Sequence, residues 1–323
     1  MNNFYNLKLI INKELSSQRL DKALSSSLND YSRTQIKTLI LSGNVNKDNI
    51  IIKDPSYITK ENDSFSINVF LKKEIKHKAE DIDLDIVYED EDLLVVNKPP
   101  NLVMHPAPGN ENGTLVNALM HYTKNKLSNL DNNSRPGIVH RLDKDTSGIL
   151  VVAKKNEIHM QLSEQFKNHS ISRKYKAIVW GTPNSQEIEG YIERNKKNRK
   201  KMSFNTKGNG KFSKTIIKLE KSFGIASVVD CVLHTGRTHQ IRLHMTSKNS
   251  PIVGDKIYGR SKINQYGKDK KTFNRFMILK NFERQALHAY HLGFNHPSTK
   301  KWLDFTVSLP KDFKNLIELL VKY

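Results

Sequence analysis

Cysteine, acidic side chains and long apolar runs are all scarce in this sequence. The single cysteine, Cys231, has no partner within the chain, which excludes an internal disulfide and suits a reducing compartment. No run of about 18 apolar residues is present, so a transmembrane helix is not expected. The first residues, MNNFYNLKLIINKELSS, lack the basic and apolar regions of a secretory signal. We therefore predict a cytoplasmic protein with no membrane partner.

The shortage of acidic residues leaves a large positive charge. The 323 residues include 53 lysines and arginines against 33 aspartates and glutamates, which gives a net charge of +20. An excess of this size indicates an extended polyanionic partner, and nucleic acid fits that description best. Hydrophobic residues make up 37% of the sequence, so the chain can bury a core, and its length suits two domains.

Signatures of metal and nucleotide sites are also missing. His234, His239 and His244 recur at five-residue intervals, which places them on no common face of a helix or strand, and the lone cysteine offers no second thiolate. The segment HPAPGNENG lacks the Lys-Ser/Thr ending of a phosphate-binding loop. These absences predict a reaction without a metal and without another cofactor.

Two short helices are predicted near the N-terminus. Apolar residues recur at helical spacing in SSQRLDKALSSSL and again in SRTQIKTLILSGNV. The polar faces carry basic residues, among them Arg19, Arg33 and Lys37, which suit an RNA backbone or form a solvated surface. These helices and the following turn resemble the S4 RNA-binding domain. The resemblance implies a small α/β RNA-binding domain over residues 1–75, followed by a charged linker over residues 76–82.

From residue 83 onward, apolar strands joined by short turns alternate with a few helices. LDIVYEDEDLLVVNKPP predicts a hairpin, GTLVNALMHY a helix, GILVVAKK a strand and EIHMQLSEQF a further helix. The strands KYKAIVWG, KTIIKLEKS and SVVDCVLHTG follow. This order predicts an α+β fold with a mixed, mostly antiparallel β-sheet flanked by helices.

A strongly basic segment lies at residues 194–218. It carries ten lysines and arginines and no acidic residue. We expect that such a run cannot bury a core, and that it forms either a solvated loop or an arm that clamps a phosphate backbone.

One carboxylate stands within a group of basic side chains. In RPGIVHRLDKDTSGIL, residues 135–150, four basic residues surround Asp143 in sequence, and two glycines bracket the segment. Thr146 and Ser147 can hold the turn by local hydrogen bonds. The neighbouring cations favour the ionised carboxylate, which suits a nucleophile or an electrostatic stabiliser. The alternative is a structural ion pair with Arg141 or with a more distant arginine.

The same segment closely resembles the His-Arg-Leu-Asp signature of the RluA family of pseudouridine synthases. Further segments follow in that family's order, namely YEDEDLLVVNKPPNLVMHP, RKYKAIVWG, LHTGRTHQIRLHM with PIVGDKIYG, and RQALHAYHLGFNHP. The resemblance covers residues 84–320 and implies a pseudouridine synthase catalytic domain over residues 83–323. It also implies an isomerase that breaks the N1–C1′ bond of uridine, turns the uracil and joins C5 to C1′ without a cofactor.

The resemblance implies roles for individual residues. Asp143 matches the family's essential aspartate, Tyr175 the aromatic residue that stacks on the target base and helps to remove the C5 proton, and Arg242 the arginine that pairs with the aspartate. The aspartate acts on the base, on the sugar or on the C2′ proton. The residues expected to bind substrate are His140, Arg141, Thr146, Arg237 and His239. The segment around Arg242 fits either a short helix capped by Thr238 or a strand.

The domain order resembles that of bacterial enzymes that modify large-subunit ribosomal RNA. We therefore expect a monomer that acts on 23S rRNA, free or in an assembling subunit, with helix 69 as the target region. A non-catalytic RNA-binding protein of ribosome assembly is the main alternative, with Asp143 as a structural ion pair. A metal-dependent nuclease would use EDED at residues 89–92, a cluster better explained as a solvated hairpin turn.

Overall fold

The chain divides into two compact units, Met1–Glu74 and Ile75–Tyr323. The computed structural model describes residues 4–28, 31, 33–70, 78–107, 109–130, 135–198, 201–259 and 269–323. The first two residues of the predicted linker at 76–82 lie outside the described residues. Within the described ranges, no helix combines the length and the apolar character that crossing a membrane requires.

The first unit packs two helices against a four-stranded antiparallel sheet. Its elements are β1 (Phe4–Ile10), α1 (Leu20–Ser27), α2 (Arg33–Leu41), β2 (Val45–Lys47), β3 (Ile50–Ile51) and β4 (Ser64–Phe70). The strand order is β1-β4-β2-β3. As the apolar spacing predicts, one face of each helix is buried in a core formed by Ile11, Leu20, Ala23, Leu24, Ile36, Ile40, Val45, Phe65, Ile67 and Val69.

The second unit is built on a ten-stranded sheet. Its strands are β5 (Asp85–Glu89), β6 (Leu93–Lys98), β7 (Ser147–Ala153), β8 (Ser172–Trp180), β9 (Gln186–Arg194), β10 (Met202–Asn205), β11 (Lys211–Ser222), β12 (Ala226–Leu233), β13 (Leu287–Asn295) and β14 (Trp302–Thr306). The order is β10-β9-β11-β12-β8-β13-β7-β6-β5, and β14 pairs with β13. Since only β7 and β13 run parallel among these pairs, the predicted mixed, mostly antiparallel sheet is confirmed.

Helices cover the sheet on both faces. They are α3 (Leu115–Tyr122), α4 (Asn156–Lys167), α5 (Gln240–Ser247), α6 (Lys270–Lys280) and α7 (Lys311–Lys322). Along β6, Leu94 and Val96 belong to one core, whereas Leu93 and Val95 belong to another. This alternation explains why the central strands are continuous apolar runs: each of their faces is buried.

Gly148 fixes how the Asp143 loop enters the sheet. Its φ is +119°, and an added Cβ would lie 2.1 Å from the carbonyl oxygen of Ala289 on β13. A side chain at this position would therefore prevent β7 from approaching β13. The loop that precedes β7 is thus held against the middle of the sheet.

The basic segment at residues 194–218 is largely part of the sheet. It contains β10 and the first part of β11, both of which pair with β9. Ser213, Thr215 and Ile217 are buried, so the expectation that this run cannot bury a core is wrong. Strand alternation is the reason, since Lys214 and Lys218 occupy the other face of β11. Residues 199–200 lie outside the described residues.

Candidate active site

The candidate site is a cleft of about 400 Å³ in the second unit, within the range of small-ligand pockets. Its walls come from the loop before β7, from β8 together with the end of α4, and from the turn into α5. Every residue predicted for catalysis or substrate binding borders this cleft: Asp143, Tyr175, Arg242, His140, Arg141, Thr146, Arg237 and His239.

A buried arginine holds Asp143. Arg242 on α5 donates from Nη1 to Oδ2 of Asp143 at 2.8 Å, and from Nε and Nη2 to the carboxylate of Asp255 at 2.7 and 2.9 Å. Asp255 also accepts the backbone N–H groups of Ile257 and Tyr258. The Arg242 side chain is 4% exposed and that of Asp143 18%, so Asp143 faces the cleft while its partner is enclosed. Despite burial, the bonds to Asp255 and Asp143 raise the pKa of Arg242.

The partner of Asp143 therefore comes from a distant part of the chain. Among the described residues, Asp143 pairs with Arg242 and lies 3.8 Å from the ring of His239, and it forms no ion pair with the basic residues of its own loop. The side chain of Arg141 is exposed at the edge of the cleft. The basic residues next to Asp143 in the sequence are thus not its partners in the structure, where the guanidinium of Arg242 orients it.

His239 is a second group beside Asp143. Its Nε2 lies 3.8 Å from Oδ2 of Asp143, and its Nδ1 lies 2.8 Å from the hydroxyl of Tyr258. That hydroxyl accepts the backbone N–H of Met202 on β10 at 2.8 Å, so its own proton is available to Nδ1. Burial lowers the pKa of His239, which favours the neutral ring. Since Nδ1 accepts the proton of Tyr258, the proton of the neutral ring is on Nε2. The edge strand β10 is thereby connected to the site.

Tyr175 forms a wall of the cleft on β8, and its side chain is 7% exposed. Burial raises the pKa of the phenol to about 12, with Arg173 opposing this shift and Asp143 adding to it. The phenol is therefore protonated at neutral pH. This state suits a flat surface for a pyrimidine ring and disfavours the expected role of Tyr175 as a base toward the C5 proton.

Thr146 and Ser147 are anchored by the sheet instead of by their own turn. The hydroxyl of Thr146 accepts a hydrogen bond from Nε2 of Gln285 at 3.1 Å, and the hydroxyl of Ser147 lies 2.9 Å from Nδ1 of His288. The predicted local hydrogen bonds of these hydroxyls are therefore wrong. Both side chains are buried, so Thr146 borders the cleft without offering its hydroxyl freely to a ligand.

His140 is fixed within the protein. Its Nε2 accepts the backbone N–H of Val151 at 3.0 Å, and its ring stacks on Phe166 with centroids 4.5 Å apart. Burial, followed by the charge of Arg173, lowers the pKa of His140 to about 3. The ring is thus neutral at physiological pH. By contrast, Arg237 is partly exposed, and its Nε donates to a backbone carbonyl at 2.8 Å.

Comparison with known proteins identifies the family. Residues 92–247 match the model of the RNA pseudouridylate synthase family, and residues 18–65 match the S4 domain. A Zymomonas mobilis protein named ribosomal large subunit pseudouridine synthase D is 43% identical over 97% of both chains. The chain belongs to the RluA-type pseudouridine synthase family. It is an isomerase that converts uridine to pseudouridine.

Two further comparisons extend this result. A protein of Escherichia coli O6:H1 with the same name is 36% identical over 97% of this chain and 94% of that protein. The structure of human RNA pseudouridylate synthase domain containing 4 covers 73% of this chain and 93% of its own, with 23% identity and a TM-score of 0.54. The human structure shares the fold, which agrees with the α+β class predicted from the sequence.

Lys98 holds the backbone next to the site of this synthase, a role that the sequence did not predict. Its side chain is fully buried, and Nζ donates to the carbonyls of Pro99, Leu102 and Lys144 at 2.7, 3.0 and 3.0 Å. Burial lowers the pKa of Lys98 to about 7. Because the third carbonyl follows Asp143 directly, this lysine ties the end of β6 to the loop that carries the aspartate.

The element around Arg242 is a helix, which resolves the two predicted alternatives. α5 begins at Gln240, and the residue before it, His239, has a left-handed conformation with φ of 58°. Thr238 does not cap this helix, so that prediction is wrong. The side chain of Gln240 instead accepts the backbone N–H of Arg237 at 3.0 Å and the hydroxyl of Thr235 at 2.7 Å.

Sequence reasoning also missed Asp255, Tyr258, Phe166 and Arg173. Asp255 and Tyr258 lie in PIVGDKIYG, a segment quoted for the family resemblance without a role for its residues. Asp255 could have been found because it lies within an apolar, glycine-containing segment. An acidic residue that is buried in such a segment needs a cationic or hydrogen-bonding partner. Arg173 begins RKYKAIVWG, another segment of the family resemblance, but neither Arg173 nor Phe166 gave a comparable signal, because an arginine on a strand and an aromatic residue on a helix are common.

In the first unit, two of the predicted RNA-binding residues meet at one carboxylate. Arg19 and Arg33 both donate to Asp21, at 3.1 and 3.0 Å, while about half of each arginine side chain stays exposed. The bonds from Arg19, followed by those from Arg33, lower the pKa of Asp21 to about 2. Lys37 is exposed one helical turn after Arg33 on α2. The three basic groups are thus available at the surface of this unit.

The acidic turn at residues 89–92 is ordered by hydrogen bonds. Asp90 accepts the backbone N–H groups of Asp92 and Leu93 and lies 2.9 Å from Nε2 of His296. Asp92 pairs with Lys155 at 2.6 Å. The turn is therefore hydrogen-bonded, while Glu89 and Glu91 are exposed, in agreement with the predicted solvated hairpin turn. In the described part of the chain, no group of three or more His, Cys, Asp or Glu side chains is arranged to hold a metal ion.

Proposed function

We propose that this synthase isomerises uridines in helix 69 of 23S ribosomal RNA, and that it acts as a cytoplasmic monomer on free RNA or on an assembling large subunit. The name of the Zymomonas mobilis relative supports a ribosomal substrate. The net charge of +20 supports an RNA partner. The choice of helix 69 follows from the resemblance of the domain order to enzymes that act on the large-subunit RNA.

The observation that carries the proposal is the carboxylate of Asp143, which lines the cleft and is oriented by Arg242 at 2.8 Å. As the N1–C1′ bond of uridine breaks, positive charge develops on the ribose, and an ionised carboxylate stabilises it or bonds to it. This carboxylate serves each of the three alternative mechanisms: attack on the base, attack on the sugar, or removal of the C2′ proton. The uracil then turns, C5 bonds to C1′, the hydrogen at C5 leaves as a proton, and N1, which carries no hydrogen in uridine, takes up a proton.

The cleft supplies the other needs of this reaction. The ring of Tyr175 offers a surface on which the freed uracil stacks while it turns. Arg242 orients the Asp143 carboxylate by its hydrogen bond, and its second carboxylate, Asp255, keeps the guanidinium in place. The walls of the cleft limit escape of the uracil between bond breaking and bond making.

Substrate capture is assigned to the basic surfaces. A uridine within folded RNA must leave its stack to reach Asp143, at a cost of a few kcal/mol that backbone contacts offset. We assign these contacts to Arg19, Arg33 and Lys37 in the first unit and to the exposed Lys196 and Lys197 at the edge formed by β9 and β10. The neutral ring of His239 borders the same cleft and suits a contact with the ribose or the base.

Mapping of pseudouridines in ribosomal RNA tests this proposal. Cells that lack the gene should lose pseudouridine from helix 69, and the wild-type gene should restore it, whereas Asp143→Asn should not. Pseudouridine that persists in helix 69 without the gene, or that disappears from another region instead, would overturn the assignment of the target. If the Asp143→Asn gene restores the missing pseudouridine, the catalytic role of Asp143 is overturned.

A further inference from the structure

Arg173 is a buried arginine whose charge has no carboxylate partner. Three arginines are buried among the described residues, namely Arg173, Arg242 and Arg284. Arg242 pairs with Asp143 and Asp255, and Arg284 pairs with Asp312. In the part of the chain that the structure describes, Arg173 forms no ion pair, and its Nε has no hydrogen-bond partner. The charge of this group is therefore uncompensated.

The contacts that Arg173 does make are weak. Its side chain is 6% exposed. One nitrogen, Nη2, reaches the carbonyl of His234 at 3.5 Å, and the guanidinium lies over the ring of Phe166 at 5.4 Å. Burial lowers the pKa of Arg173. An enclosed cation held in this way destabilises the protein, and a bound anion would offset that cost.

The position of Arg173 directs that role into the cleft. It lies two residues before Tyr175 on β8, so both side chains are on the same face of the strand and both line the cleft. Arg237, Lys167 and His169 line the cleft as well. The cleft thus combines an acidic group, Asp143, with the cations Arg173, Arg237 and Lys167, and with His169, whose pKa is lowered by burial.

We propose that Arg173, with Arg237 and His169 beside it, forms an anion subsite that binds the phosphodiester group adjacent to the target uridine. This inference rests on the proposed function, because an RNA brings one phosphate on each side of the ribose that meets Asp143. A phosphate offsets a full positive charge, whereas a uracil carbonyl is neutral. The guanidinium also presents paired N–H donors that match two phosphate oxygens. When RNA binds, Arg173 gains the partner that the protein itself does not supply.

A stability measurement separates this role from a structural one. Arg173→Met removes the charge at nearly constant volume, so we expect a melting temperature equal to or above that of the wild type, together with weaker RNA binding. Lys174→Met is the matched control, since it removes one positive charge from the opposite face of the same strand and should leave RNA affinity unchanged. A lower melting temperature for Arg173→Met with unchanged RNA affinity would show a structural residue and overturn the proposal.

The identity of the ligand is tested with a synthetic helix 69 stem-loop in which either phosphate next to the target uridine is replaced by a neutral methylphosphonate. Dissociation constants are measured in the Asp143→Asn background, so no turnover is needed. We expect Arg173→Met to weaken binding of the native RNA about 10- to 100-fold. One of the two methylphosphonate RNAs should bind the Arg173-containing protein similarly weakly. Combining that RNA with Arg173→Met should weaken binding little further. If the losses in affinity caused by Arg173→Met and by the methylphosphonate multiply, Arg173 contacts another group of the RNA, such as the base, and the proposal is overturned.

Gly236→Ala gives a second variant in case Arg173→Met does not fold. An added Cβ at this position would lie 2.5 Å from Nη1 of Arg173, so the guanidinium must shift while its charge is kept. We expect weaker binding of the native RNA and a smaller difference between native and methylphosphonate RNA, and an unchanged difference would overturn the proposal. Wild-type protein that binds this RNA without isomerising it would refute the proposed function and leave the Arg173 result intact.

Discussion

Asp255→Asn tests the network behind Asp143. The variant keeps the shape of the side chain but removes the carboxylate that binds Arg242 at 2.7 and 2.9 Å. The side chain of Asp255 is 0% exposed, so water cannot replace the lost charge. Breaking a buried ion pair on one side costs roughly 3–5 kcal/mol. For a domain of this size, that loss lowers the melting temperature by roughly 10 °C.

The activity of Asp255→Asn should fall as well. Arg242 keeps its bond to Asp143 but loses the carboxylate that orients it, so we expect kcat for pseudouridine formation to drop by roughly tenfold or more with RNA affinity unchanged. Asp312→Asn is the matched control, because Asp312 binds Arg284 in the same two-bond geometry but is 42% exposed. Because Arg284 is itself buried, this variant should also be destabilised, but less than Asp255→Asn since water reaches Asp312, and its kcat should be unchanged. An Asp255→Asn protein that melts and turns over like the wild type would refute this account of the network.

The pH dependence of the same variant has a defined sign. Burial works to raise the pKa of Asp255, but the hydrogen bonds from Arg242 and from the backbone hold that pKa below its ordinary value. A depressed pKa in the folded state stabilises the protein above the pKa of the unfolded state, near 4 for an aspartate. The difference in unfolding free energy between wild type and Asp255→Asn should therefore be constant above about pH 5 and shrink as the pH falls toward 3.

Variants of Lys98, of Tyr175 and of the pair Lys196 and Lys197 test the support of the site and the capture of RNA. Because the folded pKa of Lys98 is about 7, against an ordinary value of 10.5, the unfolding free energy of the wild type should rise from pH 7 to 10 more than that of Lys98→Met in denaturant titrations. Lys98→Met should also lose roughly 3 kcal/mol at pH 7, because three buried carbonyls lose their donor. Tyr175→Leu should weaken binding of the RNA stem-loop roughly 5- to 100-fold, as expected for a lost stacking surface, and an unchanged Kd would refute that role. Replacing the exposed Lys196 and Lys197 by alanine should reduce the slope of log Kd against log salt by roughly 1 to 2, and an unchanged slope would exclude this edge from phosphate binding.

Much of the fold follows from local patterns in the sequence. Apolar periodicity located α1, α2 and the strands around Asp143, because each buries one or both faces in a core. The basic run at 194–218 misled this reasoning, since its lysines alternate with buried residues along β11 and the run therefore belongs to the sheet. Net charge alone cannot distinguish a strand with one solvated face from a free loop.

The candidate site was predictable to the extent that its residues belong to a recognisable motif. Asp143, Tyr175 and Arg242 come from three separated segments, and only the resemblance to the family links them before the structure is known. The network beyond them depends on burial. Asp255 and Arg173 carry ordinary charges in the sequence. The structure shows that Asp255 is buried with Arg242, whereas Arg173 is buried with no ion-pair partner among the described residues. Pairing across long sequence separations is set by tertiary packing, which local patterns do not record.

Tritium release from 5-tritiated uridine in a folded RNA tests the central claim most directly. Formation of pseudouridine expels the hydrogen at C5, whereas RNA binding alone does not. Wild-type protein should release tritium, and Asp143→Asn should release none while binding the RNA with similar affinity. Release by Asp143→Asn at the wild-type rate would contradict the assignment of the Asp143 carboxylate as the reactive group.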